Sequence, residues 1–106
     1  MDHTSDSPRV AALKQLLTVD PTSGFVRYGL AMEYVKAGQF SDAVAEFETL
    51  LSADSQYSAA YYHGGQTLEK MGDLDRARDL YRRGLEHSRD AHARAELQAA
   101  LDILGD

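Results

Sequence analysis

The 106-residue sequence contains no cysteine and no tryptophan, only two prolines (Pro8 and Pro21), and eleven basic against seventeen acidic residues. Without cysteine there can be no disulfide framework, no thiol nucleophile and no Cys-ligated zinc, so the fold must hold by packing alone. The lack of thiols also leaves redox compartment unmarked. The opening MDHTSDSPRV is polar and acidic, with no apolar run behind a basic flank, which is not the pattern of a secretory leader. No window approaches the roughly 18 apolar residues that a membrane span requires. These absences set cytoplasmic residence, without a membrane partner, as the expectation. A formal net charge of −6 argues against nucleic acid as a partner, because that contact depends on Lys and Arg neutralising phosphates.

What is present is a helical composition, 43% hydrophobic and 26% charged, of a length suited to one domain. It repeats. Shifted against itself by 34 residues, the chain gives twelve identities in 72 aligned pairs, where ordinary composition gives roughly four or five by chance. Leu17, Leu51 and Leu85 coincide, as do the large apolar residues Leu13, Phe47 and Tyr81. Ser7, Ser41 and Asp75 also coincide, each just ahead of an apolar-periodic stretch, and are the residue types that cap helix N-termini. Gly38 matches Gly72, where a left-handed residue is expected to end a helix.

Apolar spacing of three and four predicts six helices, over about 8–18, 23–37, 41–53, 56–71, 75–88 and 90–104. The connections are only a few residues long, so successive helices must run antiparallel. The fold class expected is therefore all-α, a helix-hairpin solenoid or α-α superhelix of about six antiparallel helices.

A 34-residue helix-turn-helix unit resembles the tetratricopeptide repeat, in the manner of small bacterial-type proteins of that family. Between 24 and 57 the family's core positions fall on Leu30, Ala31, Tyr34, Gly38, Phe40, Ala43, Phe47 and Leu50. Between 58 and 91 they fall on Tyr61, Gly64, Gly65, Leu68, Gly72, Leu74, Ala77, Tyr81 and Gly84. The sequence departs from the pattern at Arg27, where a large aromatic is usual, and at Ser55 and Arg89, which replace the closing proline. Pro21 stands in that closing register after Asp20. The organisation expected is thus a disordered tail over 1–6 and a single domain over 7–104. Within that domain lie a half repeat (7–23), repeats over 24–57 and 58–91, and a capping helix over 90–104. Small residues at Ala31, Gly65, Ala43 and Ala77 should let the paired helices approach closely.

The resemblance implies a non-catalytic adaptor or scaffold that binds a peptide or partner protein on its concave groove. The residues expected to line it are Phe25, Tyr28, Met32, Val35 and Lys36 from one repeat. From the next come Ala59, Tyr62, His63, Gln66, Glu69 and Lys70. Phe25 and Tyr28 could equally pack against the first helix as ordinary core. One subgroup of the family clamps a C-terminal carboxylate with Lys, Asn and Arg, but those positions here hold Tyr28, Met32 and His63, so that specificity is not expected. The alternative function is self-association into a homodimer through the groove or a terminal helix.

Sharper chemistry finds little support. His87 and His92 are five apart across a helix break, which is not ligand spacing, and His3 and His63 stand alone, so neither metal nor cofactor is expected. His63 is placed where it could titrate near neutral pH. Serines at caps and loops serve backbone donors, Gly64-Gly65 has no preceding strand to make a phosphate loop, and Glu46 and Glu48 should face solvent. No enzyme is indicated. Residues 76–94 concentrate Arg76, Arg78, Arg82, Arg83, Arg89 and Arg94. A self-paired solvated face, with Asp79–Arg83 and Arg82–Glu86 four apart, is weighed against a site for an acidic partner.

Overall fold

Ser7 accepts a hydrogen bond from the Val10 amide at 3.1 Å, and Pro8 fills the first helical position, where a missing N–H is harmless. Together they start α1 (Pro8–Val19). The computed structural model describes residues 6–105. Five more helices follow: α2 (Gly24–Lys36), α3 (Phe40–Ala53), α4 (Ser58–Lys70), α5 (Leu74–His87) and α6 (Ala91–Leu104), with no strand among the described residues. Apart from Asp6, which accepts a bond from Lys14 at 2.9 Å, the tail expected over 1–6 lies outside the described residues, as does His3.

All six expected helices are present, and the shifts at their ends have local causes. The fourth starts at Ser58 and not at 56, because the Asp54 carboxylate accepts from the Gln56 amide at 3.1 Å and holds that segment in a turn. Ser41 and Asp75 are not caps, contrary to expectation: α3 and α5 each begin one residue earlier, at Phe40 and Leu74. Asp73 caps α5 through the Arg76 amide at 3.3 Å, while Gln39 precedes α3 without a side-chain cap. The early starts follow from how the previous helices end. Gly38 (φ 76°) and Gly72 (φ 79°) take the left-handed conformation. In each case the next residue, Gln39 or Asp73, then donates to the carbonyl five back, of Tyr34 or Leu68, at 2.8 and 2.9 Å. That closed turn leaves three residues between helices.

Successive helices pack antiparallel, with α6 also meeting α4, and the molecule measures 42 × 27 × 18 Å. One core runs its length from Val10 through Phe47, Tyr61 and Tyr81 to Leu101. Its spacing depends on small residues. Ala31, Ala43 and Ala77 are fully buried. A methyl on Gly65 would meet the Tyr81 ring, its Cζ at 2.6 Å, and one on Gly84 would lie 2.8 Å from both Leu97 and Tyr61.

Two departures from the repeat pattern have visible substitutes. Arg27, in place of an aromatic, reaches Glu46 on α3 at 2.8 Å and the Pro21 carbonyl at 3.1 Å. Ser55, in place of proline, offers its carbonyl to the Tyr61 hydroxyl at 2.7 Å. Glu46 and Glu48 are accordingly not solvent-facing as expected; each ties two helices together, Glu48 through Arg83 at 3.2 Å. Arg83 bonds Glu48, and the Asp79 expected as its ion-pair partner acts on it more weakly, through charge attraction.

Gly65→Ala should lower unfolding free energy by about 1–3 kcal/mol through overpacking. Gly29→Ala, whose methyl would sit 3.6 Å from Leu13 in ordinary contact, should raise it by about 0.5–1 kcal/mol. Urea denaturation of the two variants checks both signs.

Candidate functional site

α2, α4 and α6 present three clefts joined in series on one side of the molecule. The first, of about 330 Å³, lies between α1 and α2 and includes Leu13, Leu16, Phe25, Tyr28 and Met32. The second, of about 350 Å³, lies between α2 and α4 and is lined by Met32, Val35, Tyr62, His63, Gln66, Thr67 and Lys70. The third, of about 340 Å³, lies between α4 and α6, with Tyr62 and His63 facing Asp90, His92 and Glu96. Met32 borders the first two, and Tyr62 and His63 border the last two. The clefts therefore form one strip across the repeats.

Aromatic contacts fix the middle of this strip. The Tyr28 ring stands 6.2 Å from Phe47, 5.5 Å from Tyr57 and 5.9 Å from His63, and His63 meets Tyr62 edge-on at 5.2 Å. Such tilted pairs hold rings without stacking them face to face. Tyr28 is half-buried against the core and the neighbouring Phe25 is 80% exposed. Neither is ordinary core packed under the first helix. Burial raises the pKa of Tyr28 and of Tyr57, so both keep their protons and present neutral hydroxyls.

Of the residues expected in the groove, Phe25, Tyr28, Met32, Val35, Ala59, Tyr62, His63, Gln66 and Lys70 border these clefts. Two lie elsewhere. Lys36 borders a separate cleft with Ser7, Val10 and Gln39, and pairs with Glu33 at 3.6 Å. Glu69 turns toward α5, where its carboxylate accepts the Tyr81 hydroxyl at 2.5 Å and Gln66 donates to the same hydroxyl at 3.0 Å. Burial first, then the Glu69 carboxylate, push the Tyr81 pKa strongly upward, and the Gln66 bond only partly opposes them.

The α6 wall was missed: Asp90, His92, Ala93 and Glu96 were not anticipated. The signal existed, since the 34-residue step carries Ala59 to Ala93 and Tyr62 to Glu96. Tyr57, one residue before α4, was missed as well, and nothing in its periodicity marks it.

His63 is shifted downward, away from the neutral range that its sequence position suggested. Burial lowers its pKa below the ordinary 6.5, and the Glu96 carboxylate only partly offsets this. The imidazole is therefore neutral at pH 7 and adds no charge to the strip's centre.

The arginine cluster is chiefly a set of structural ties. Arg94 donates to the carbonyls of Leu85 and Ser88, closing the C-terminal end of α5. Arg78 donates to the Gly105 carbonyl at 2.7 Å and to Asp75 at 3.0 Å. Arg83 bridges to α3. Among the described residues, no group of three His, Asp or Glu side chains could hold a metal ion, and no helix is long and apolar enough to cross a membrane.

Stacked antiparallel hairpins of this spacing, with first helices aligned along one face, define an α-helical repeat solenoid. A tetratricopeptide repeat family model matches residues 28–92, and the chain belongs to that family. It is similar to a TPR repeat-containing protein of Pseudomonas aeruginosa, 28% identical over 76 residues and covering 72% of each chain. Among solved structures it resembles the tetratricopeptide repeat domain protein of Salinibacter ruber. That match is 36% identical, with a TM-score of 0.72, over 77% of this chain and 96% of that one. A protein of Bordetella parapertussis superposes with a TM-score of 0.76 at 27% identity, over 94% and 89% of the two chains. Proteins of this family bind proteins or peptides, and the fold is generally a non-catalytic scaffold.

Because His63 is harder to protonate folded than unfolded, the unfolded state takes up more protons as pH falls. The His63 contribution is intact above about pH 6.5, declines as pH drops through that value, and levels off below the lowered folded pKa. His63→Gln should flatten the slope of unfolding free energy between about pH 7 and 5, measured by denaturant titration at each pH.

Proposed function

We propose that this chain is a non-catalytic adaptor that holds an extended peptide segment of a partner protein along the strip Tyr28–Met32–Tyr62–His63. One observation carries the reading: three clefts of similar volume run together, sharing Met32, Tyr62 and His63, with Tyr28 in the first. Rings offer large contact area at small entropic cost, and Met adapts its shape to an irregular partner. The strip is chemically graded. Its middle is aromatic with a neutral imidazole, while its α6 end is bordered by Asp90 and Glu96. A peptide with apolar side chains for the middle and a basic one for that end fits both parts. Lys70 borders the middle cleft and supplies a donor for a peptide carbonyl.

Nothing in the strip pairs a nucleophile with a base. Of its two histidines, His63 faces tyrosines and Glu96 and His92 stands 3.9 Å from Glu96; neither is set against a serine or a thiol among the described residues in the manner of an activated nucleophile.

Probing an array of extended peptides with the labelled chain tests this. The expected binders carry an apolar residue and a basic residue. Tyr62→Ala should weaken a selected peptide by about tenfold or more, while Ala45→Glu on exposed α3 should leave it unchanged. Equal binding by Tyr62→Ala, or loss through Ala45→Glu, would move the site off the strip.

A further inference from the structure

We propose that the two ends of the molecule fit each other, so that α6 of one copy docks on the open face of α1 of a second copy and the solenoid continues head to tail. This goes beyond the groove reading, and its α1 face shares Arg9, Leu13 and Leu16 with the edge of the first cleft.

The inference starts from an asymmetry in exposure. Arg9, Ala12, Leu16 and Val19 recur along one side of α1 at helical spacing, and all four are exposed, Leu16 by 52% and Val19 by 79%. The adjacent side, Val10, Leu13 and Leu17, packs against the core, with Leu13 half-buried at the seam between the two sides. Stepping 34 residues carries Leu13 to Phe47 and Leu16 to Leu50, and both of these are buried. In register, α3 and α5 are covered on this side by the helix before them, α2 and α4. No described helix covers α1 there. At the other end, α6 stands in the register of α2 and α4. It buries Leu97, Ala100 and Leu101 but leaves Ala95, Gln98, Ala99 and Asp102 exposed. By register, that is the side on which α4 receives α5.

The α4–α5 pair gives the template for how the two faces would meet. Gly65 lies against Tyr81, Gly64 against Leu80 and Tyr61 against Gly84; the same antiparallel register puts Leu68 opposite Ala77. Transferring α4 to α6 and α5 to α1 sets Ala99 against Leu13, Gln98 against Ala12 and Ala95 against Leu16. Asp102 then falls opposite Arg9. Each large residue meets a small one, as in the template, and the fourth pair is of opposite charge. Arg9 now bonds Glu33 at 2.9 Å and Asp102 accepts from Gln98 at 2.9 Å. Both are exposed and can turn toward a neighbour. Such a contact uses different patches on its two sides, so it extends in open chains and does not close as a dimer. One helix pair buries less than a standard interface, and the association should be weak.

The absence of cysteine makes the test clean. Leu16→Cys and Ala95→Cys chains, each altered at an exposed position, are mixed and oxidised. The expected product is the mixed disulfide, several-fold above either symmetric one. A predominance of symmetric dimers, or the 1:2:1 ratio of random collision (roughly, for equal reactivity), would overturn the proposal. In sedimentation of the unmodified chain, average mass should rise with concentration beyond a dimer. Asp102→Arg should weaken this about tenfold or more, and Arg9→Glu in the same chain should restore it. A strict monomer up to about 1 mM, a plateau at dimer, or failure of the double variant to recover would each contradict head-to-tail docking.

Discussion

The contact of a small residue on one helix with a large one on the next sets the geometry on which everything else depends. Gly65 admits the Tyr81 ring, Gly84 admits Tyr61 and Leu97, and buried Ala31, Ala43 and Ala77 occupy equivalent close approaches. Glycine inside a helix costs roughly 1 kcal/mol against alanine, so Gly64 and Gly65 weaken α4 as an isolated segment. They are tolerable because the aromatic rings they admit are fully desolvated. This spacing brings the odd-register and even-register helices into two layers. The layer of α2, α4 and α6 is then free to present its outer side chains as a continuous strip.

Polar groups play the secondary part of tying helices at their ends and along their seams. Ser58 and Ser88 share a hydroxyl contact at 2.6 Å, with Ser88 buried, at the junction before α6. Arg27–Glu46 and Arg83–Glu48 cross between helices, and Arg83 also lies over the Tyr61 ring at 6.0 Å. Half-exposed ion pairs of this kind contribute little each. Their worth is in register: they link Arg27 and Arg83 to particular turns of α3. An interaction surface built on such a frame can be flat and mixed in polarity, because the core beneath it is already specified.

Much of this was legible in the sequence. Periodicity placed six helices because every buried face repeats at 3.6 residues, and Gly38 and Gly72 stopped helices where they were expected. The caps were misread at Ser41 and Asp75 because residue type alone does not say how long the preceding turn is; the bond from Gln39 to Tyr34 decides that. Tyr28, Met32 and Tyr62 could be placed together from the 34-residue step. Glu69 could not, since its direction is set by a hydroxyl twelve positions away on another helix. The lowered pKa of His63 was likewise hidden, because burial beside the Tyr28 and Tyr62 rings is a tertiary property. The α6 wall was readable but required carrying the repeat one step past its last full copy.

In the proposed function, the side of the molecule built by α2, α4 and α6 is the binding face and the α3–α5 side is frame. Amide chemical-shift mapping of the whole chain with a bound peptide tests it most directly. The account predicts that the largest shifts fall on residues around Met32, Tyr62, His63 and Glu96, with Thr49, Ser52 and Asp79 unmoved. Shifts concentrated on α3 and α5, with Tyr62 and His63 unaffected, would contradict it.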